Sequence, residues 1–241
     1  MNNEDLNYID FDKDLETLSK YVKEAIKNTG VSIIRNFELS KDDSIFIKFS
    51  EILGEPINEE RNIDGKTIYR VEINKKLDIP TYANTEYEFW CHTDCSDFDE
   101  PPDTIMLLCE KPSETGGETF LISIKEVCEK LSNNDIFLLT HKAFPIRGLI
   151  FPILTSVNDE LYVRYNRVSI DTSTKIAGIE LEPMYLNVIN KLDRVINENK
   201  FIVKLNKGEC LITNNNTILH GRNSFPENSN RLMKRIRLYS N

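Results

Sequence analysis

The amino-acid sequence predicts a mainly β fold with flanking α-helices, of the jelly-roll type (a double-stranded β-helix). Two observations lead to this prediction. Short apolar segments follow one another at close spacing and are separated by Pro, Gly and Asn turn signals, a pattern typical of sandwiches and barrels. Helical periodicity is confined to the N-terminal part, to a central stretch and to one long segment late in the chain. We therefore expect helices packed outside a core built from strands.

The N-terminal part predicts two helices and one strand. Residues 12–28 carry apolar side chains at helical spacing, and an apolar strand is expected at 31–34. Ser40 followed by Asp43 resembles a capping box, so a second helix would begin there. It would run to about Leu53, where Gly54 ends it.

The middle of the chain predicts strands around a long loop. Residues 74–88 are polar, contain Pro80 and have no period. Long loops in compact proteins often cover a site, so we interpret 75–88 as a candidate lid, with a flexible surface loop as the alternative. Strands are expected on both sides of this loop, at 67–73, 89–94, 104–109 and 118–122.

The C-terminal half predicts further helices and strands. Helices are expected at 123–131, at 134–140 and, with a clear amphipathic pattern, at 182–199. Residues 147–181 contain several short strand candidates, the clearest at 161–165, and we take 155–180 as a second candidate lid or specificity segment. Further strands are predicted at 201–205, 209–213 and 235–239, in addition to the one at 161–165.

Composition limits the class of protein. The chain has 241 residues, 40% of them hydrophobic, which suffices for one sizeable core; without repeats or linkers, a single domain over 1–241 is the simplest expectation. A net charge of −9 makes nucleic acid or an anionic membrane an improbable main partner. The oligomeric state is not predictable from the sequence.

The cysteines and the N-terminus predict a cytoplasmic protein. No basic stretch followed by an apolar run opens the sequence, and no window approaches a membrane span. Five cysteines at irregular spacing fit reduced thiols better than a disulfide framework. Cys91 and Cys95 could form a redox or zinc pair, but on a strand both would point away from the face of His92 and Asp94.

His92 and Asp94 form a candidate metal-binding pair. On an extended segment they share one face and supply two of the three ligands of the two-His-one-carboxylate triad, which holds Fe(II) and leaves coordination positions open. A solvated strand end is the alternative. His220, before Gly221, is placed either to reach a metal or to be a buried, hydrogen-bonded residue. His141 follows a predicted helix and is expected at the surface.

Arg231 and Arg235 would share one strand face with Met233 and Arg237. An arginine that faces a core requires an anionic partner, and its planar guanidinium suits a carboxylate. These residues therefore suit a dicarboxylate co-substrate and an anionic substrate. A solvated basic edge strand is the alternative.

Together these motifs resemble a known family. The sequence is similar to the taurine dioxygenase / clavaminate synthase-like family of Fe(II)- and 2-oxoglutarate-dependent oxygenases over nearly its whole length. The motifs that carry the resemblance are Trp90-Cys91-His92-Thr93-Asp94, Pro101-Pro102-Asp103-Thr104, Gly116-Gly117-Glu118-Thr119, Asn215 with Leu219-His220-Gly221-Arg222, and Arg231 with Arg235.

The resemblance implies a role for each matching position. His92, Asp94 and His220 would be the iron ligands. Thr119 and Arg231 would hold the distal carboxylate of 2-oxoglutarate, and Arg235 would anchor an anionic group of the substrate. Asn215 would be structural. The family often has Asp at the position of Asn214, so the run 214–216 is a departure from its pattern.

The resemblance also implies the activity. With Fe(II), 2-oxoglutarate as co-substrate and O2, the protein would hydroxylate a small anionic substrate, an amino acid or related carboxylate, and release succinate and CO2. The carboxylate of Asp94 argues against the halogenating branch. Alternatives are a regulatory protein that binds iron and 2-oxoglutarate without turnover, and a sulfonate-cleaving dioxygenase. Acidic residues at 97–100 or Asp171 could receive a substrate amine.

Overall fold

The computed structural model describes residues 1, 3–58, 67–77, 81–158 and 160–240. The helices within them are α1 (Leu15–Thr29), α2 (Ser44–Leu53), α3 (Ile124–Cys128), α4 (Asn133–Leu139), α5 (Arg167–Ala177) and α6 (Pro183–Asn199), with short 3-10 turns at Asn3–Leu6 and Tyr82–Asn84. The strands are β1 (Tyr8–Asp10), β2 (Val31–Arg35), β3 (Gly54–Pro56), β4 (Tyr69–Val71), β5 (Phe89–His92), β6 (Thr104–Lys111), β7 (Thr119–Ser123), β8 (Phe144–Ile146), β9 (Leu149–Phe151), β10 (Leu154–Val157), β11 (Glu160–Val163), β12 (Phe201–Val203), β13 (Cys210–Asn214), β14 (Ile218–Arg222) and β15 (Leu232–Ser240).

Two sheets form the centre of the molecule. The larger has the order β1-β2-β13-β6-β15-β3, with β4 also paired to β15, and the smaller has the order β12-β7-β14-β5. Within both sheets the pairs are antiparallel except β1 and β2. Two hairpins, β8-β9 and β10-β11, lie outside these sheets. Neither sheet closes on itself, so this is an open double-sheet jelly roll.

Three apolar clusters hold the layers together. Between the two sheets, Ile33 and Leu211 of the larger sheet share a cluster with Leu121 and Ile218 of the smaller one. A second cluster joins α1 and α2 to the outer face of the larger sheet. A third cluster joins the helices α3, α4, α5 and α6 to the outer face of the smaller sheet. The predicted arrangement of helices outside a strand core is confirmed.

The start of the chain follows its sequence signals. The side chain of Asp14 caps α1 by accepting a hydrogen bond from the Thr17 N–H at 3.3 Å, and Gly30 ends the helix at φ +79°. A Cβ on Gly30 would lie 2.8 Å from Ile218, so the glycine also permits close packing. Ile33 and Ile34 face different clusters and are both fully buried, which explains the unbroken apolar run of β2.

The predicted capping box at Ser40 and Asp43 is wrong. The helix α2 begins at Ser44, whose N–H donates to Asp42 Oδ1 at 3.2 Å. Asp43 adopts φ 58° and makes no cap; its carboxylate pairs instead with Lys234 Nζ at 2.5 Å. A tertiary ion pair thus takes the side chain that the local pattern assigned to the helix terminus.

The region 147–181 contains the expected short strands β9, β10 and β11, and also a helix that was not predicted. The β10-β11 hairpin confirms a strand near 161–165, but α5 is a helix. Its β-branched residues favour strands, yet Asn166 caps it by accepting from the Ser169 N–H at 3.0 Å, and Gly178 ends it at φ 64°. Burial of Ile170 outweighs the weak intrinsic propensity.

Other differences concern element boundaries and undescribed residues. The strand expected at 67–73 is limited to β4, and β15 begins at Leu232 rather than Arg235. The candidate lids at 75–88 and 155–180 include residues 78–80 and 159, which lie outside the described residues, and both interpretations stay predictions. The single-domain interpretation is likewise untested. In the described part of the chain, no helix combines the length and apolar character that crossing a bilayer requires.

Candidate metal centre and anion-binding cavity

His92, Asp94 and His220 converge at one edge of the smaller sheet. His92 ends β5 and lies directly opposite His220 of β14 in the antiparallel pairing. Asp94 Oδ1 lies 3.3 Å from His92 Nε2 and 3.7 Å from His220 Nε2. One nitrogen or oxygen atom of each residue lies within 4.8 Å of the others, so the structure brings the three predicted ligands together.

Asp94 does not lie on a strand, contrary to the prediction. Since β5 ends at His92, the alternation of strand side chains does not align the pair, and Asn215 does so instead. The Asp94 N–H donates to Asn215 Oδ1 at 2.8 Å, and Asn215 Nδ2 donates to the carbonyl oxygens of Asp94 and Pro102 at 3.0 and 2.8 Å. This buried amide fixes the turn that carries the carboxylate.

Replacing Asn215 by Ala should lower the free energy of unfolding by about 2–4 kcal/mol, because it removes three buried hydrogen bonds and leaves their partners unsatisfied. It should also weaken metal binding, since Asp94 loses its backbone support. Denaturant unfolding and Co(II) titration measure the two effects. Asn216→Ala, at a neighbouring half-buried position, is the control. An Asn215→Ala protein with unchanged stability would remove this role.

Thr93 anchors the same segment from the other side. Its N–H donates to the Tyr165 carbonyl at 2.7 Å, and its hydroxyl accepts from the Tyr165 N–H at 3.0 Å. Tyr165 is fully buried and its hydroxyl donates to Asp193 at 2.5 Å. Sequence reasoning did not identify Tyr165, because nothing local to it indicates a contact with residue 93.

The environment of His92 suits a metal ligand. Its Nδ1 lies 2.8 Å from the Trp90 carbonyl oxygen, so a proton there donates to the carbonyl and leaves the lone pair on Nε2. His92 Nε2 is buried and has no hydrogen-bond partner in the described residues. The ring stacks on Phe89 with centroids 3.8 Å apart. Burial lowers the pKa of His92, which favours the neutral form that metal coordination needs.

The two carboxylate oxygens of Asp94 have different surroundings. Oδ1 faces the imidazoles and also accepts a long hydrogen bond from Arg235 Nη1 at 3.5 Å, whereas Oδ2 accepts from Arg237 Nε at 2.8 Å and lies 3.1 Å from Arg235 Nη1. Burial alone would raise the pKa of Asp94, but the charges of Arg235 and Arg237 outweigh it and hold that pKa well below its ordinary value. The carboxylate is therefore ionised, and Oδ1 is the oxygen that faces the two imidazoles. Two imidazoles and one carboxylate fit Fe(II).

A cavity beside the triad carries excess positive charge. His92, His220, Thr119 and Arg231 all line it. Arg231 is 4% exposed, its Nη1 has no hydrogen-bond partner, and it forms no ion pair with any described residue. Burial lowers the pKa of Arg231 to about 10. A buried guanidinium without a counter-charge is costly, so the cavity suits an anion.

Arg235 also lines the cavity, and its environment differs from that of Arg231. Its guanidinium contacts Asp94 and lies over the Tyr69 ring, with Cζ 4.8 Å from the centroid. Its Nε is buried and has no partner among the described residues. The expected common strand face is interrupted, because Arg231 precedes β15 and the register shifts between Leu232 and Met233.

Three other candidates are not part of this site. His141 Nδ1 lies 2.9 Å from the Tyr185 hydroxyl, away from the cavity. Asp171 accepts two hydrogen bonds from Arg167 Nε and is therefore already paired. All five cysteines are buried and none forms a disulfide, and burial raises the pKa of Cys91 to about 12. Within the described ranges, His92, Asp94 and His220 are the only group of such residues placed to hold a metal.

Arg222 is a cavity residue to which sequence reasoning gave no role. It lies on β14 two residues after His220, so strand alternation places both side chains on one face. That spacing was visible in the sequence and could have identified it.

Comparison with known proteins identifies the family. The family model described as "Taurine catabolism dioxygenase TauD, TfdA family" matches residues 1–139 and 150–237. The chain belongs to this family. The resemblance noted from the motifs is thereby confirmed.

Among curated proteins, the chain is similar to gamma-butyrobetaine dioxygenase from Homo sapiens and from Pongo abelii. Each is 24% identical over 176 residues, which is 64% of this chain and 44% of the relative. The aligned part of the chain thus spans less than half the length of these curated relatives.

Solved structures share the fold. The asparagine oxygenase AsnO superposes with a TM-score of 0.76 at 15% identity, over 93% of this chain and 78% of the other. The non-heme iron oxygenase OrfP, in complex with Fe and alpha-ketoglutaric acid, gives a TM-score of 0.75 at 15% identity, over 94% and 80%. These similarities establish the jelly-roll fold.

Proposed function

We propose that this protein is an Fe(II)- and 2-oxoglutarate-dependent dioxygenase that hydroxylates a small anionic substrate and releases succinate and CO2. One observation carries the proposal. His92 and His220, which form the candidate metal site with Asp94, line the same cavity as Arg231, a buried cation without a counter-charge among the described residues. Binding of a chelating oxo-acid requires a metal site beside a cationic group that can bind its carboxylate.

Each residue has a proposed role. His92 Nε2, Asp94 Oδ1 and His220 Nε2 would hold Fe(II), while Arg231 and Thr119 would bind the distal carboxylate of 2-oxoglutarate. Family membership supports this, as do the complexes of OrfP with Fe and alpha-ketoglutaric acid and of asparagine oxygenase with Fe(II) and succinate. When bound, iron, 2-oxoglutarate and O2 would supply the oxidation.

The protein's own side chains would orient these groups and exclude water. Arg235 and Arg237 contact Asp94 Oδ2 at 3.1 and 2.8 Å, which orients Oδ1 toward the imidazoles and the proposed metal. The Trp90 carbonyl fixes the tautomer of His92, and Phe89 covers one face of its ring. Burial of His92 and Asp94 keeps bulk water from the centre, which a reactive oxidant requires.

An amino acid or related carboxylate is the proposed substrate class. Arg235 lines the cavity with an unpartnered buried Nε and would anchor the substrate carboxylate. The titles of the related structures name (3S)-hydroxy-L-Arg with OrfP and 3-hydroxyasparagine with asparagine oxygenase, which supports this class. A cytoplasmic location stays part of the proposal.

Succinate formation tests the proposal. Purified protein with Fe(II), 2-oxoglutarate and O2 is incubated with a panel of amino acids, other carboxylates and sulfonates, and succinate and modified substrate are quantified. At least one carboxylate is expected to give succinate and a product heavier by one oxygen atom. If the protein binds both iron and 2-oxoglutarate yet no compound stimulates succinate formation, the regulatory alternative replaces the enzyme.

Replacing Arg235 by Ala should raise the substrate KM or lower kcat/KM by roughly 10- to 100-fold, the size expected for loss of a charge-assisted hydrogen bond. Binding of 2-oxoglutarate should change little, because Arg231 is untouched and Arg237 still holds Asp94. Arg235→Lys keeps the positive charge but lacks the planar guanidinium, so its kcat/KM should lie between those of the unmodified protein and Arg235→Ala. If affinity for 2-oxoglutarate collapses instead, the roles of Arg231 and Arg235 are reversed.

A further inference from the structure

Arg222 is a buried cation that the proposed ligand set does not use. It is 6% exposed and lines the cavity together with His220 and Arg231. Its Nη2 lies within hydrogen-bond distance of three backbone carbonyl oxygens, those of Tyr82, Thr85 and Tyr87, at 3.3, 2.8 and 2.6 Å. Its Nε is buried and has no partner among the described residues. Among the described residues, the hydrogen-bond acceptors of Arg222 are therefore all neutral carbonyl oxygens.

Arg222 and Arg231 lie close enough to repel one another. Their Cζ atoms are 4.7 and 5.4 Å from the centroid of the Phe225 ring. Burial, reinforced by the charge of Arg231, lowers the pKa of Arg222 to about 9. Thr119 is the cross-strand partner of Arg222 in the β7–β14 pair. Two buried guanidiniums and a hydroxyl thus surround one end of the cavity, and a single carboxylate would relieve both charges.

Arg222 also holds the segment that leads into β5. The carbonyl oxygens that it contacts belong to residues 82–87, and the Tyr82 ring stacks on Phe89 with centroids 5.4 Å apart. Phe89 in turn stacks on His92. Through backbone contacts and stacked rings, Arg222 therefore connects the anion-binding end of the cavity to the imidazole proposed as a metal ligand.

We propose that the distal carboxylate of 2-oxoglutarate binds between Arg231 and Arg222, and that Arg222 transmits this binding to residues 82–88. The co-substrate, rather than the substrate, would thus order this segment beside the metal site. This inference rests on the proposed function, since it assumes that 2-oxoglutarate occupies the cavity.

The test uses the whole protein with Mn(II) under anaerobic conditions, so that no turnover occurs. Calorimetry gives the Kd of 2-oxoglutarate, and hydrogen–deuterium exchange gives the protection of amides 82–88 with and without it. In the unmodified protein, 2-oxoglutarate is expected to slow this exchange. Arg222→Gln should weaken its binding roughly tenfold or more and abolish the added protection. Arg222→Lys should recover part of the affinity without the protection, because an ammonium cannot span carboxylate and carbonyls together.

Arg194→Gln, at an exposed position of α6, is the matched control and should behave like the unmodified protein. Wild-type affinity in a folded Arg222→Gln protein would overturn the carboxylate contact. Unchanged exchange at 82–88 when 2-oxoglutarate binds the unmodified protein would overturn the coupling, even if no Arg222 variant folds. Absence of any 2-oxoglutarate binding by the unmodified protein would instead overturn the proposed function itself.

Discussion

His92→Ala and His220→Ala proteins are expected to lose Fe(II) binding and all measurable succinate formation. Each imidazole supplies one of three ligand atoms that lie within 4.8 Å of one another. Because removal of residues that merely support metal ligands costs about 10- to 100-fold in affinity or activity, loss of a ligand itself should exceed about 100-fold. Anaerobic Co(II) or Fe(II) titration and quantification of succinate measure the two losses.

The chain supplies a matched control for this experiment. His141 is the third histidine; it contacts Tyr185 outside the cavity, so His141→Ala should keep both metal binding and turnover. Thermal unfolding of each variant shows whether it is folded. Turnover that persists in a folded His220→Ala protein would remove His220 from the ligand set, and with it the proposed triad.

Arg231→Met is expected to bind 2-oxoglutarate roughly 100-fold more weakly, because each charge-assisted hydrogen bond to a buried carboxylate contributes about 1.5–3 kcal/mol. In the ligand-free protein, by contrast, the same substitution should not lower the free energy of unfolding. The guanidinium is buried and forms no ion pair with the part of the chain that the structure describes, and its burial lowers the pKa of Arg231. A similarly shaped apolar side chain removes that desolvation cost, so the free energy of unfolding should be unchanged or higher by up to about 2 kcal/mol.

This combination separates a binding role from a structural one. Calorimetric titration with 2-oxoglutarate and denaturant unfolding of the ligand-free protein give the two quantities. Arg35→Met, which removes a largely exposed arginine paired with Asp10, should leave co-substrate affinity unchanged. If Arg231→Met is strongly destabilised and its affinity for 2-oxoglutarate is normal, Arg231 serves the fold and another residue holds the oxo-acid.

Patterns local in sequence predicted most of the fold. The apolar run of β2 and the amphipathic pattern of α6 were informative because each element buries its own periodic face. The prediction failed at α5 and at Asp43, where tertiary burial and a long-range ion pair override local propensity. Tertiary burial and a long-range ion pair both depend on distant residues, so neither can be predicted from the neighbouring sequence.

The candidate site was predictable as a set of residues but not as a geometry. His92, Asp94 and His220 were identified from their motifs. The hydrogen bonds between the Asp94 backbone and the Asn215 side chain were not predictable, because these residues lie far apart in the chain. Arg222 was within reach of sequence reasoning, since it follows His220 on the same strand face. Its contacts with the carbonyls of 82–87 were not, because backbone acceptors carry no sequence signal.

The central claim is that one cavity holds both a His-Asp-His metal site and a carboxylate site for an oxo-acid chelating the metal. Anaerobic addition of Fe(II) and then 2-oxoglutarate tests it most directly, by absorption spectroscopy. We expect the weak visible metal-to-ligand charge-transfer band of the chelate in the unmodified protein, and its absence in His220→Ala. A folded, iron-loaded protein that develops no such band with excess 2-oxoglutarate would contradict the claim.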